Sequence, residues 1–390
     1  MSTSAYQKLG VSATKEEVHR AIAGTDPGLF PGAFCRIGTD VLGGDPDYCS
    51  ALHSDDAGTK AIVAYLQFRE TGNADIFRGI AQDALVMNLD DLLCIGAVDR
   101  FLLGNTINRN SFVIPGSVIG EAIAGYSDVV KSLLPYGIEI VATGGETADM
   151  NDAVRTIIIG ATLATRLRRD QVIDNSRIQP GDVIVGFSST GQAVWESRPN
   201  SGIGDNGLTL ARHALLHRDY GTRFPESMDP GVDRQATYRG PFHLSDRPAG
   251  LPMTIGEAIL SPTRTYAPLL KKIFDVVGRS AIHGLVHNTG GGQTKCKSFG
   301  KSIKYVKTNL FPVPRILELI AEHGQVESKE MYQTFNMGHR LEAMVDPKTA
   351  PEMIRLSQEM GIEAQVVGVC ETSPRNVVEI RTPTGSFEYT

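Results

Sequence analysis

The sequence is short of everything that would tie it to a membrane, a secreted scaffold or a nucleic acid. Its five cysteines, Cys35, Cys49, Cys94, Cys296 and Cys370, are odd in number and none forms a Cys-x-x-Cys pair. That spacing offers neither a zinc site nor a disulfide framework. No apolar run approaches the roughly 20 residues that span a bilayer. The opening MSTSAYQKLG lacks a charged-then-apolar export pattern, so the expected compartment is the cytoplasm and no membrane partner is expected. Positive charge is scarce as well: 38 Lys and Arg against 44 Asp and Glu leave a net charge of −6. With an isoelectric point near 5.9, no nucleic-acid partner is expected. One basic cluster exists, Lys295, Lys297, Lys301, Lys304 and Lys307, and it is read as a solvated face.

Familiar catalytic motifs are missing too. There is no GxSxG elbow and no dinucleotide fingerprint after the first strand. The GKS at 300–302 has Lys295 where a phosphate loop needs its first glycine, so it is not a Walker motif. His283 and His287 are four apart, but they lie in a strand-like run without the glutamate of a metalloprotease site. His213 and His217 read as helix-surface histidines. The single tryptophan, Trp195, sits in a loop-rich stretch.

What is present is an ordinary globular composition, 41% hydrophobic and 21% charged over 390 residues, enough for two cores. A capping-box start at Thr14 opens a helix over 14–24. Apolar residues at helical spacing predict helices over 75–97 and 115–137. IEIVATGGETADM predicts a strand running into a glycine turn, and the β-branched run at 154–165 a further strand. A polar stretch then leads to the Pro-Gly turn before VIVGFSS, which sets the expected boundary: one domain over 1–167, a second over 168–390. Residues 192–205 and 219–252 read as long loops of the kind that serve binding.

Four short stretches carry chemistry. LHSDDAGTK crowds Asp55, Asp56, Gly58, Thr59 and Lys60 into one turn. VMNLDDLL puts Asp90 and Asp91 in an apolar helix, where an unpaired carboxylate is rare. At 100° per residue Asp83 and Asp90 fall within about 20° of each other, and Asp91 on the neighbouring face. Carboxylates converging from a helix and a turn suit magnesium, a hard cation that takes oxygen ligands and phosphates. GGETADM and HNTGGGQTK add paired and triple glycines, Gly144-Gly145 and Gly290-Gly291-Gly292, whose backbone amides can approach an anion. Acidic clusters, one lysine and glycine turns suit a magnesium–ATP phosphoryl-transfer enzyme without the standard phosphate loop.

These motifs resemble the phosphoribosylformylglycinamidine cyclo-ligase (aminoimidazole ribonucleotide synthetase) family. SDDAGTK is similar to its TDGVGTK, GGETADM to its GGETAEM, and VIDNSRIQPGDVIVGFSSTG, LSPTRTY, HNTGGG and KEMYQTFNMG follow in the family's order. The resemblance implies an α+β fold of two domains: an N-terminal α+β dimerisation domain and a C-terminal α/β domain, with ATP and Mg2+ between them. It implies catalysis by Lys60, Asp91 and Asn206. Nucleotide binding would fall to Asp55, Gly58, Thr59, Lys60, Asp90, Gly144, Gly145, Glu146 and Thr147. Magnesium would be held by Asp55, Asp83 and Asp91, and a phosphoribosyl amidine substrate by Asn206, Gly207, Thr289, Gly290, Gly291 and Gly292. The implied reaction closes the imidazole ring of aminoimidazole ribonucleotide, in a homodimer. Three segments depart from the pattern: the histidine of PHSNGYSL has no counterpart in DNGLTL, FNxGxGM becomes FNMGHRLE with His339, Arg340 and Glu342, and the first glycine-rich loop is reduced to GLFPGAFC and VLGGD. The alternatives are another ATP-dependent enzyme of the superfamily, such as selenophosphate synthetase, thiamine-phosphate kinase or the hydrogenase-maturation protein, and a non-catalytic nucleotide-binding paralogue.

Overall fold

The computed structural model describes residues 4–11, 16–383 and 385–390. The capping box expected at Thr14 lies outside the described residues; the helix α1 is described over Glu16–Ile22. The first unit then runs β1 (Gly38–Thr39), β2 (Tyr48–Asp56), α2 (Lys60–Thr71), α3 (Ile76–Leu93), β3 (Arg100–Arg109), α4 (Gly116–Leu133), β4 (Glu139–Asp149) and β5 (Ile157–Arg168). Its strands form one sheet in the order β1-β2-β5-β3-β4, with β3 and β4 parallel and the other neighbours antiparallel.

The second unit begins with β6 (Val183–Ser188), a short ribbon of β7 (Thr190–Gly191) and β8 (Asn200–Ser201), and the helices α5 (Leu208–Leu215), α6 (Asp219–Arg223), α7 (Ile255–Ile259) and α8 (Ala267–Val276). It continues with β9 (Ile282–His287), β10 (Ile303–Lys307), α9 (Arg315–Gly324), α10 (Ser328–Thr334), β11 (His339–Val345), α11 (Ala350–Glu359), β12 (Ala364–Thr372), β13 (Val377–Thr382) and β14 (Gly385–Tyr389). Seven strands order as β14-β13-β10-β12-β6-β11-β9. The architecture is α+β in two units, each built around its own sheet. Among the described residues no helix is long and apolar enough to cross a membrane.

The helix α3 is the spine of the first unit. Fourteen of its 18 residues are buried, and a helix apolar on all sides must be covered on all sides. It lies between the sheet, α4 and the second unit, so Asp83, Asp90 and Asp91 are all buried with it. The opposite face of the sheet is open. One row across it, Leu52–Ala164–Leu102–Val141 by register, leaves Leu52, Leu102 and Val141 67%, 46% and 46% exposed.

One expectation is corrected here. Gly144-Gly145 makes no turn: β4 runs straight through it and pairs with β3 from Arg100↔Glu139 to Arg109↔Asp149, with one register shift at Leu103/Gly104. The ladder outweighs the local freedom of glycine, and that freedom serves a close approach instead. A Cβ on Gly145 would sit 2.1 Å from the Asn105 side-chain oxygen.

Candidate functional site

The end of β2 delivers Asp55 and Asp56 to the seam between the units. Gly58 (φ +50°) turns the chain, and Thr59 stands at the N-cap of α2. Facing it, Gly207 (φ +77°) is the N-cap of α5. The Thr59 and Thr209 hydroxyls hydrogen-bond at 2.9 Å, so two helix N-termini meet there. Such ends present unsatisfied N–H groups and partial positive charge, which favours an anion.

Around this point the acidic groups diverge. Lys60 is fully buried and does not reach the seam's surface. Its ammonium pairs with Asp83 at 2.8 Å and donates to the carbonyls of Ser261 (2.7 Å) and Gly204 (3.1 Å). The Asp83 oxygen that pairs with Lys60 also takes the Thr263 N–H (2.7 Å) and hydroxyl (2.5 Å). Its other oxygen has no hydrogen-bond partner among the described residues, and neither does Asp205 Oδ1. Burial, and after it the charge of Asp83, pushes the Asp205 carboxyl well above the usual range despite Lys60. Two orphaned carboxylate oxygens, close to Asp55 and Asp56, are a demand for a cation.

Asp90 turns to the same stretch as Asp83, as their shared helix face requires. It accepts from the Thr265 hydroxyl (2.6 Å) and the Tyr266 N–H (3.2 Å), and Arg340 lies 3.6 Å away. Burial outweighs Arg340 and pushes its carboxyl up to about 7. Asp91, one residue on, faces elsewhere: His287 Nδ1 is 2.6 Å from one oxygen and His53 Nε2 3.3 Å from the other. Burial would raise its carboxyl, but Lys295 and the two imidazoles hold it well below the usual range.

The expected magnesium trio is thereby corrected. Among the described residues, Asp55, Asp83 and Asp91 do not bring their ligand atoms within 4.8 Å of one another; Cys35, His53 and Asp91 do. Asp90 and Lys60, expected at the nucleotide, are tied into buried pairs instead. Asp55, Gly58, Thr59, Asn206 and Gly207 do come together, at the two helix ends. Gly144, Gly145 and Glu146 line a separate hollow of about 260 Å³ on the open sheet face with Gly104, Thr106 and Thr162. Thr147 lies next to it on β4. In that face Asp56, Gly160, Thr106 and Glu146 form one row across the strands.

The 289–292 turn follows β9, with Gly291 and Gly292 at positive φ. Thr289 accepts from Lys295 at 2.6 Å, and that ammonium stands 4.6 Å above the Phe34 ring. Lys295 therefore does not belong to a solvated face, and neither does Lys307. The latter is fully buried in β10, paired with Glu342 and donating to Gln293 O (2.7 Å) and Oε1 (3.0 Å). His339 Nε2 is 2.8 Å from the same Glu342 oxygen. Burial raises the Glu342 carboxyl, but Lys307 and His339 bring it down to about 2. His339 and Glu342 of the departing HRLE segment thus lie in the interior of the second sheet, while Arg340 reaches across to Asp90. His213 is corrected likewise. It is 2% exposed, packs on Tyr238 with ring centroids 4.6 Å apart and accepts the Tyr238 N–H at 3.2 Å. Sequence reasoning missed His53 and Asp205. The signal for His53 was strand alternation, which puts Cys49, Ala51, His53 and Asp55 on one face of β2.

The comparisons agree with this architecture. The family profile described as AIR synthase related protein, N-terminal domain, matches residues 33–166. A phosphoribosylformylglycinamidine cyclo-ligase from Methanocaldococcus jannaschii is 31% identical over 330 residues, covering 83% of this chain and 78% of the relative. Another of that name from Carboxydothermus hydrogenoformans is 29% identical, covering 97% and 99%. Among solved structures, phosphoribosylformylglycinamidine synthase II from Thermotoga maritima shares the fold at TM-score 0.54 and 14% identity, over 99% of this chain and 50% of that one. A chain of the HypE–HypF complex does so at TM-score 0.54 and 16% identity, over 97% and 99%. The chain belongs to the phosphoribosylformylglycinamidine cyclo-ligase family.

Proposed function

We propose that this protein is the ATP-dependent cyclo-ligase itself, closing the imidazole ring of aminoimidazole ribonucleotide from formylglycinamidine ribonucleotide. ATP phosphorylates the amide oxygen, a nitrogen of the same molecule attacks the activated carbon, and phosphate leaves with ADP as co-product. The observation that carries the reading is the meeting of the α2 and α5 N-termini through Thr59 and Thr209, in a chain of this family. The backbone amides after Gly58 and Gly207 hold the ATP phosphates, and Asn206 orients the transferred group. Asp55 and Asp205 hold magnesium together with phosphate and water oxygens, and the unpartnered oxygens of Asp205 and Asp83 are the fit. Bound with ATP, magnesium neutralises phosphate charge. Lys60 acts as a positioning residue that fixes Asp83. The 289–292 turn and Lys295 hold the phosphoribosyl amidine.

The working form is a cytoplasmic homodimer whose partner covers the open sheet face. The apolar Leu52–Leu102–Val141 row is the support for that, because contiguous exposed apolar surface favours association. Covering that face encloses the Gly144–Gly145–Glu146 hollow, with Thr147 beside it, as a further nucleotide-contacting surface. The test is ADP release from magnesium–ATP with and without formylglycinamidine ribonucleotide. Substrate-dependent ADP with a matching imidazole product is expected. Tight ATP binding without stimulation would discard this substrate.

A further inference from the structure

The Cys35–His53–Asp91 group has a geometry that a neutral His53 ring does not satisfy. The Asn88 amide nitrogen donates to the carbonyls of Ala84 (2.8 Å), Ala161 (3.0 Å) and Asp55 (3.3 Å), so its oxygen is the atom facing His53 Nδ1 at 2.9 Å. An amide oxygen only accepts, so His53 Nδ1 carries the proton. In the neutral ring Nε2 is then bare, and it faces Asp91 Oδ2 at 3.3 Å. Two lone pairs confront each other across a gap that either a second ring proton or a metal ion must fill.

The other Asp91 oxygen is already satisfied. Arg340 Nε donates to His287 Nε2 at 3.1 Å, which leaves His287 Nδ1 to donate to Asp91 Oδ1 at 2.6 Å. His287 is therefore an orienting group and not a ligand. The third corner is Cys35. Its Sγ is buried, 3.3 Å from the Asp91 carbonyl, and the three ligand atoms lie within 4.8 Å of one another.

We propose that Cys35 Sγ, His53 Nε2 and Asp91 Oδ2 form a site for one divalent transition-metal ion of zinc-like softness, distinct from the magnesium that accompanies ATP. A thiolate and an imidazole are poor partners for magnesium and good ones for zinc or cobalt. Three protein ligands leave the fourth position of a tetrahedron open. Asn88 and His287 supply the outer hydrogen bonds that fix ligand orientation in such sites. On binding, the Cys35 thiol proton leaves to solvent and the sulfur–metal bond replaces the S–H bond. Lys295 is held at Thr289 and over Phe34. The site spans β2, α3 and the loop before β1, and His287 ties it to the second unit, so the ion would brace the seam beside the 289–292 turn.

The experiment uses the full chain, stripped with a chelator, dialysed and titrated with Co2+. The expected result is one ion per chain, a thiolate-to-cobalt charge-transfer band, and displacement by Zn2+. Cys35→Ser should abolish the band, His53→Gln should weaken binding by about tenfold or more, and Cys370→Ser should leave both unchanged. Absence of stoichiometric binding, or a band that survives Cys35→Ser, would overturn the proposal. Should Cys35→Ser fail to fold, nitrogen-15 NMR of the wild-type imidazoles decides. A His53 ring protonated on both nitrogens in excess Zn2+ means an ordinary ion pair with Asp91 and no metal site. None of these readouts involves ADP release, so the outcome is separable from that of the cyclo-ligase assignment.

Discussion

Among the described residues, two lysine–carboxylate pairs have no side-chain exposure at all, Lys60–Asp83 and Lys307–Glu342. They differ in what they hold. Lys60 reaches out of its own unit to the carbonyls of Gly204 and Ser261, and Asp83 to Thr263. Lys307 stays at home, with Gln293, Glu342 and His339 around it. A buried ion pair stabilises only when every remaining donor and acceptor is matched. Each pair leaves one carboxylate oxygen unmatched, Asp83 Oδ2 and Glu342 Oε2, so the difference is one of place. The first pair joins the two units at the seam where we place ATP, and its loose end can serve a cation there. The second pair lies wholly inside the other unit, tying Lys307 of β10 to Glu342 of β11.

The largest expected effect is the loss of either lysine. Lys60→Ala and Lys307→Ala each strand a buried carboxylate and should cost about 3–5 kcal/mol in denaturant unfolding. The paired replacements sharpen the contrast. Lys307→Met with Glu342→Leu should recover stability and keep ATP affinity, whereas Lys60→Met with Asp83→Leu should recover stability and lose it by calorimetry. Equal ATP affinities for the two double variants would erase the distinction.

Asp55→Asn belongs to the seam but not to either pair. It should lower substrate-dependent ADP release on the order of a hundredfold with an unchanged circular dichroism spectrum. A rate within error of wild type would remove Asp55 from the metal set.

His213 tests α5, whose N-terminus faces Thr59. Burial and the neighbouring Arg212 push its pKa down from 6.5 to about 2. The unfolded chain therefore binds the proton that the folded chain refuses. The stability is complete above about pH 6.5 and is lost as pH falls below it. Between pH 7 and pH 5 wild type should lose about 2 kcal/mol more than His213→Gln; parallel curves would contradict this. Smallest is Thr254→Ala, which removes the capping box of α7, the helix leading into Ser261. It should cost about 1 kcal/mol and leave the Lys307–Glu342 pair untouched, as proton exchange across the second sheet would report.

Much of this was legible in the sequence, and the failures have physical reasons. Spacing of 100° per residue put Asp83 and Asp90 on one face of α3, and both do meet the 261–266 segment. Their partners lie some 180 residues along the chain, where no local period can point. The glycines of β4 were misread because strand pairing overrides local flexibility. Lys307 was misread from charge alone, although period-two alternation already placed it beside Ile303 and Tyr305, both buried. His53 was lost in the same way, on the inward face of β2. The ordered motifs identified the family, while the redirected Asp91 depends on contacts with His287 and Arg340 that only the folded chain brings together.

The most direct test of the account is a structure of the protein with magnesium and a non-hydrolysable ATP analogue. The account predicts triphosphate density between Gly58–Thr59 and Asn206–Gly207, with the metal against Asp55 and Asp205. Phosphates bound elsewhere, or helix ends left vacant at saturating nucleotide, would contradict it.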